Sequence, residues 1–390
     1  MGTQKSSPAD FLAKASATAR HYGFDTLSRT IASNTTLEKK SKSSVDKLKQ
    51  TDKNIDAMRG ELVSGLEALL TNRSKVDEPI LFYTSNADST KQKKHSTFGI
   101  HVVGAKESFA EALLLRVGLS ILEDTGHKNY SVRIGSIGNR DSSAKYIREA
   151  GNFFRRNMHA LSPQLQTMLK EDIFLAAEHI MRKKHPLHLE MPKPVEYLST
   201  HSRRHFQEVL EYLEKADLPY EMSDALLGHR DCYSETIFDI RPTDEQVQSP
   251  LIARGGRYDE FARRYLKSTV PAVGLTFIID EPLQALPEQK NHTQKSPKAF
   301  FIHLGTEARL KSISVVERLR KARVPFVHSL SGGSFSDQLA RAERESIPFA
   351  VIMGQREAIS DAVIVRNIIS RAQDTIPVEA IPYYFKEKLA

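Results

Sequence analysis

Apolar and polar positions change period several times along the chain, and those changes delimit its elements. Near the start, Phe11, Leu12, Ala15 and Ala19 recur on one helical face. Pro8 in the first turn and Gly23 past the end predict a helix over 7–22 with Ser7 as its cap. The lysine-rich stretch 36–53 has no period and reads as a basic surface segment. A second helix is expected over 56–70. Residues 80–83 and 98–103 read as strands of a hairpin, joined by a polar loop carrying Lys91, Lys93 and Lys94. A helix over 107–124 ends at Gly126, and a strand covers 130–137. A helical stretch over 142–183, punctuated at Ser162-Pro163, precedes another helix over 200–216. Short strands with turns between them are expected over 236–240 and 252–276.

The polar, proline-containing stretch 282–298 interrupts this pattern and marks the clearest boundary. Beyond it, strands at 299–304, 325–328, 349–353 and 362–367 alternate with helices at 308–323 and 334–345. That alternation predicts a small α/β unit with a largely parallel sheet. The expected organisation is a core over 1–285 with a helical insertion about 141–220, a linker over 286–297, and a C-terminal domain over 298–390.

Composition narrows the class. With 390 residues, 40% hydrophobic and 27% charged, the chain is globular and long enough for two or three cores. No apolar run is long enough to span a bilayer, and the first residues lack the apolar core of a signal peptide. The single cysteine, Cys232, excludes an intramolecular disulfide and fits a reducing compartment, so a cytoplasmic location is expected. The formal charge of +8 favours a polyanionic partner such as RNA, although the same charge also serves solubility.

Candidate chemistry centres on Ala253-Arg254-Gly255-Gly256-Arg257-Tyr258-Asp259, followed by Pro271-Ala272-Val273-Gly274. Adjacent glycines let backbone approach a ligand where a Cβ would collide. The two stretches resemble the glycine-rich strand pair that floors the amino-acid pocket of histidyl-tRNA synthetases, which are class II aminoacyl-tRNA synthetases. The strand Phe98-Gly99-Ile100-His101-Val102-Val103-Gly104 and the strand with its glycine turn over 130–138 are similar to segments of the same family. So are the stretches 192–221 and 299–367, the latter resembling its anticodon-binding domain. The resemblance implies an α+β fold, with a class II antiparallel sheet core and a C-terminal α/β anticodon-binding-type domain. It also implies tRNA as partner and a homodimer.

The residues that should do the chemistry differ. Joining a carboxylate to ATP needs arginines to hold phosphates and spread transition-state charge. By the resemblance, the second-motif arginine falls on Tyr83, and the arginine ending the third motif falls on Glu281, a charge reversal. The arginine of the histidine-specific loop falls on Gly228, with Tyr233 left of that loop's tyrosine pair. The glutamine and glutamate that cradle the substrate amine fall on Thr97 and His101. Glu61, Arg257 and Tyr258 remain. Arg230 and the lysines of the 91–94 loop could compensate at one of the three arginine positions but not at all three together. The expectation is therefore a paralogue that binds tRNA or another RNA without aminoacylation, with no intact catalytic residues and no cofactor. An active histidine–tRNA ligase using ATP and Mg, or a relative of the regulatory subunit of histidine biosynthesis, are the alternatives. RNA contacts are expected near Arg366, Asn367 and Arg371.

Other features read more plainly. Arg257 is either a ligand residue or the partner of Asp259 in a structural ion pair. His185 and His188 stand at a spacing seen in metal sites, but with no cysteine or paired acid beside them they are solvated loop residues. Ser331-Gly332-Gly333-Ser334 either cradles a phosphate or caps the helix that follows. No metal is expected.

Overall fold

The computed structural model of this chain describes residues 8–26, 66, 79–86, 96–183, 185–228, 232–243, 252–267, 269–279, 297–328, 330 and 333–388. Of the expected second helix only Leu66 is described, helical and buried, while the lysine-rich segments, Glu61, Arg230 and Glu281 lie outside the described residues.

Eight strands form the first sheet: β1 (Asp25–Thr26), β2 (Ile80–Asn86), β3 (Ser96–Val103), β4 (Tyr130–Gly138), β5 (Tyr220–Met222), β6 (Ser234–Pro242), β7 (Ile252–Arg257) and β8 (Ala272–Ile279). Their spatial order is β1-β2-β3-β8-β7-β6-β4-β5. The inner pairs are antiparallel, and only the short outermost strands pair parallel. On one face, here the back, Phe98, Ile100, Val102, Phe238, Ile240, Val273, Leu275 and Phe277 form a continuous apolar surface. Helices α1 (Pro8–His21) and α2 (Phe109–Asp124) cover it. The aromatic edge of Phe11 on α1 meets Phe277 at 5.7 Å between centroids. Burying β3 on both faces requires a second layer in front. Phe82, Ile237, Tyr258 and Ile278 supply the front-face contacts for that layer.

Part of the front layer comes from α3 (Arg140–Arg156), α4 (Pro163–Glu171) and α5 (Ile173–Arg182), while α6 (Thr200–Lys215) returns to pack on α2. Caps divide the stretch 140–182 into separate helices. Asn139 accepts from the Ser142 amide, Ser162 from Leu165 and Asp172 from Phe174. Among the helices that escaped sequence reading is α7 (Asp259–Leu266), which stands between β7 and β8, where short strands and turns were expected. It has two acids in its first turn and two arginines in its last, a sound helical charge order. At two turns it is too short to show a hydrophobic period.

The second sheet has order β10-β9-β11-β12-β13, built from β9 (Ala299–His303), β10 (Phe326–His328), β11 (Phe349–Met353), β12 (Ala362–Asn367) and β13 (Gln373–Pro377). Helices α8 (Thr306–Lys321), α9 (Phe335–Arg344), α10 (Gln355–Ile359) and α11 (Ile381–Lys388) accompany it. The sheet is mixed rather than largely parallel. β9 pairs parallel with β10 and β11, but β11-β12 and β12-β13 are antiparallel. Strand β13 is an exposed polar edge with no alternation to reveal it. Phe109 of α2 packs on His303 and His328, so the two sheets meet through a shared apolar core.

Candidate functional site

Gly256 on β7 and Gly274 on β8 are register partners, and both present their missing side chains to the front of the first sheet. A Cβ on Gly274 would lie 2.6 Å from His101 Nδ1, and one on Gly256 would lie 3.0 Å from Tyr233 Cδ1. The glycines thus admit close approach, but it is the chain's own rings that approach. His101 stacks on Phe82 with 5.0 Å between centroids, and its Nδ1 lies 3.1 Å from the Tyr258 hydroxyl. The His101 Nε2 finds no hydrogen-bond partner among the described residues. Complete burial drives the imidazole pKa down to about 3, so it is neutral at physiological pH. A neutral ring offers no negative charge to an ammonium group. Burial also pushes the Tyr258 and Tyr233 hydroxyls far up. Thr97 lies on the same face of β3, buried opposite Asn86 and Ile278.

Tyr83 is not brought to this site. The register pairs Phe82 with His101 and Tyr83 with Ile100, so Tyr83 faces the back. There it packs on Phe98 at 5.5 Å, below α1. The side-chain period of two means that one residue of offset exchanges the faces. An arginine at Tyr83 would enter the core beneath α1 rather than reach a ligand in front. Tyr83, where the resemblance puts the second-motif arginine, therefore belongs to the back core and not to the pocket of the glycine strands.

Arg257 also faces the back. Its guanidinium grips Glu111 of α2 at 2.9 and 2.8 Å and donates to the Ala105 and Glu107 carbonyls. Asp259 lies at 3.6 Å, the lesser partner. His205 of α6 completes the cluster at 2.6 Å from Glu111. Burial opposes ionisation of Glu111, but Arg257 and His205 overcome it and hold its pKa at about 2. This arginine ties β7 to α2 and α6 and has no face toward the glycines.

Gly228 adopts φ of +64°, where an L side chain is strained, and a Cβ there would lie 2.9 Å from the Tyr233 ring. Its amide donates to Glu178 of α5 at 3.1 Å, and the same carboxylate takes Arg254 at 3.2 Å. The sequence reading gave Arg254, quoted within the glycine stretch, no role and missed Glu178. The only signal was a charged residue on the front-facing phase of a glycine strand. Beside them Asp239 accepts Arg133 at 2.7 and 3.0 Å and Arg241 at 2.8 Å. These arginines are bound to carboxylates of the protein itself.

The remaining candidates are local. Asn367 Oδ1 accepts the Ile369 and Ser370 amides, closing the β12-β13 turn. Arg371 sits in that turn, exposed and with φ of +60°, while Arg366 precedes it in β12. His185 and His188 brace a 3-10 turn, and no cluster of potential metal ligands occurs among the described residues. Ser334 forms a capping box with Asp337 at the start of α9. Cys232 is buried. No helix among the described residues is long and apolar enough to cross a membrane.

An antiparallel sheet with paired glycine strands, joined to a mixed C-terminal domain, defines a class II synthetase-type protein. Residues 298–388 match the family described as an anticodon binding domain. The chain is 24% identical over 311 residues to the histidine–tRNA ligase of Dehalococcoides mccartyi, covering 79% of this chain and 74% of that one. It is 25% identical over the same length to that of Vesicomyosocius okutanii, with the same shares covered. A solved apo histidyl-tRNA synthetase from S. aureus aligns over 82% of this chain and 81% of its own, at 20% identity and a TM-score of 0.45. Over most of its length the chain is thus similar to histidine–tRNA ligases, and residues 298–388 are an anticodon binding domain.

Proposed function

We propose that this chain binds tRNA or another RNA as an adaptor or regulator and does not activate histidine. The observation that carries the reading is the front face of the glycine strands, where His101, Phe82 and Tyr233 occupy the space a small substrate would need. By the resemblance, His101 stands where a carboxylate would meet the substrate amine. A buried neutral ring there removes the charge partner and fills the volume at once. Tyr83 turns to the back, and Gly228 supplies no cation. The match of residues 298–388 to an anticodon binding domain supports RNA as the partner.

The test is histidine-dependent ATP–pyrophosphate exchange by the purified chain. The expected result is no exchange above a control without protein. Robust exchange would overturn the reading in favour of an active ligase. The similarity to histidine–tRNA ligases also supports a homodimer, to be checked by light scattering at micromolar concentration, where a monomer mass would contradict it.

A further inference from the structure

A cleft of about 840 Å³ runs between α1 and the second sheet. Lys14, Arg20 and His21 line one wall, and Arg320, Lys321 and Arg323 line the other. Asp124 is the one acid among the described lining residues. It is already engaged, accepting from Thr18 at 2.6 Å and from Arg320 at 3.0 Å. Lys14 pairs with Asp10 and Lys321 with Glu317. The guanidinium groups of Arg20 and Arg323 make no ion pair or hydrogen bond among the described residues. Half-buried His21 senses the imbalance. Burial lowers its pKa, Arg320 lowers it further, and Arg323 and Arg20 add to this against the opposing pull of Asp124. Cations from two parts of the chain thus converge on one groove, and among the described residues they outnumber the acids.

We propose that this cleft holds backbone phosphates of a bound RNA, with Arg20 and Arg323 as its free guanidinium donors. The inference rests on the RNA-binding reading and gives it a location away from the β12-β13 turn. A guanidinium presents a planar fork that matches phosphate oxygens, and two such forks on opposite lips suit a strand lying along the groove. Lys14, Lys321 and Arg323 are exposed and Arg20 and His21 half-buried, so the cations lie at the surface of the groove rather than around a single buried point. That arrangement fits a polymer of phosphates better than one enclosed small anion. A strand seated there would touch both sheets' layers, so binding would also fix their relative position.

The experiment titrates labelled tRNA and a labelled single-stranded RNA with the full chain across a range of salt concentrations. It compares the wild type, R20A/R323A, R20K/R323K and a control, K170A/K215A, whose lysines are exposed on α4 and α6. Thermal melts verify that each variant is folded. The expected result is at least about tenfold weaker binding by R20A/R323A, with a log–log salt slope smaller by roughly two units. R20K/R323K should keep most of the slope, and the control should resemble the wild type. If the wild type binds RNA and R20A/R323A binds it equally well with the same slope, the cleft assignment is overturned while RNA binding stands. If the wild type binds no RNA, the RNA-binding reading fails, and inorganic pyrophosphate becomes the probe. Displacement of the His21 imidazole resonances by pyrophosphate in the wild type, absent in R20A/R323A, would keep the phosphate chemistry of the cleft. No displacement would end it.

Discussion

The Tyr22 hydroxyl at the end of α1 donates a hydrogen bond to the Glu317 carboxylate on α8, 295 residues further along the chain. The same carboxylate accepts from Arg320 at 2.8 and 3.0 Å, and Arg116 of α2 approaches to 3.6 Å. Tyr22 also meets Ser120 of α2 at 2.7 Å. The contact joins α1, α2 and α8 through buried, charge-assisted bonds. Tyr22→Phe should cost about 2 kcal/mol of stability, the usual scale for removing a hydrogen bond to a charged group. Urea unfolding measures it, and an unchanged midpoint would show that the hydroxyl is dispensable.

Glu111 should be far less tolerant. Removing one partner of a buried ion pair leaves the other uncompensated, at about 3–5 kcal/mol. Glu111→Gln strands Arg257 and His205 together, so a loss of that order is expected in the same unfolding measurement. A pH signature follows as well. The folded pKa of Glu111 is about 2, below its ordinary 4.5, so its contribution is full above pH 4.5 and is lost as pH falls toward 2. Glu111→Gln should flatten the stability profile across that window. A profile parallel to the wild type would remove Glu111 as the cause.

Two buried histidines add an acid sensitivity at higher pH. His101 and His328 both have pKa values pushed down to about 3 by burial, in the case of His328 with His303 adding to the effect. Each is neutral when folded and takes a proton when unfolded below pH 6.5. Their contribution is therefore present above pH 6.5 and declines as pH falls toward 3, by at most about 1.4 kcal/mol per unit for each group. His328→Gln should lessen the loss of stability between pH 6.5 and 4.5, where Glu111 is still fully charged. Equal losses for wild type and variant across that interval would refute the assignment.

These pairings mark how far the sequence could be read. Strand β11 was legible because it carries an unbroken apolar run, and α1 because Phe11, Leu12, Ala15 and Ala19 repeat at helical spacing. The edge strand β13 and the short helix α7 carry no period, since one is exposed and the other spans two turns. At the candidate site, the string of glycines marked β7 and β8, but residue type alone could not assign faces. Arg257 beside Gly256 turned to the back because adjacent strand residues alternate, and its partner Glu111 comes from 146 residues earlier. Tyr83 depended on a one-residue register that only the pairing with β3 fixes. Glu178 and Arg254 meet across 76 residues, and no local pattern foretells such a pair.

The exposed β12-β13 turn offers a separate check on RNA binding. Replacing Arg366 and Arg371 by alanine should weaken tRNA binding and flatten the salt slope by roughly one unit for each phosphate no longer neutralised. Asn367→Ala should act differently, by loosening the turn that its side chain closes. Filter binding distinguishes the outcomes. An unchanged slope in the double variant would leave this turn to protein contacts.

Helix α2 is buried almost all round, with the first sheet beneath it and α1, α6 and α8 on its other sides. It therefore answers to both sheets, and a change in its volume is felt on each side at once. The front of β3 and β7 has no such double allegiance. Arg254 and His101 there are separated by the sheet from the surface on which the second sheet rests. The candidate site and the seat of the second sheet thus occupy opposite faces of one sheet, so a change at the first need not reach the second.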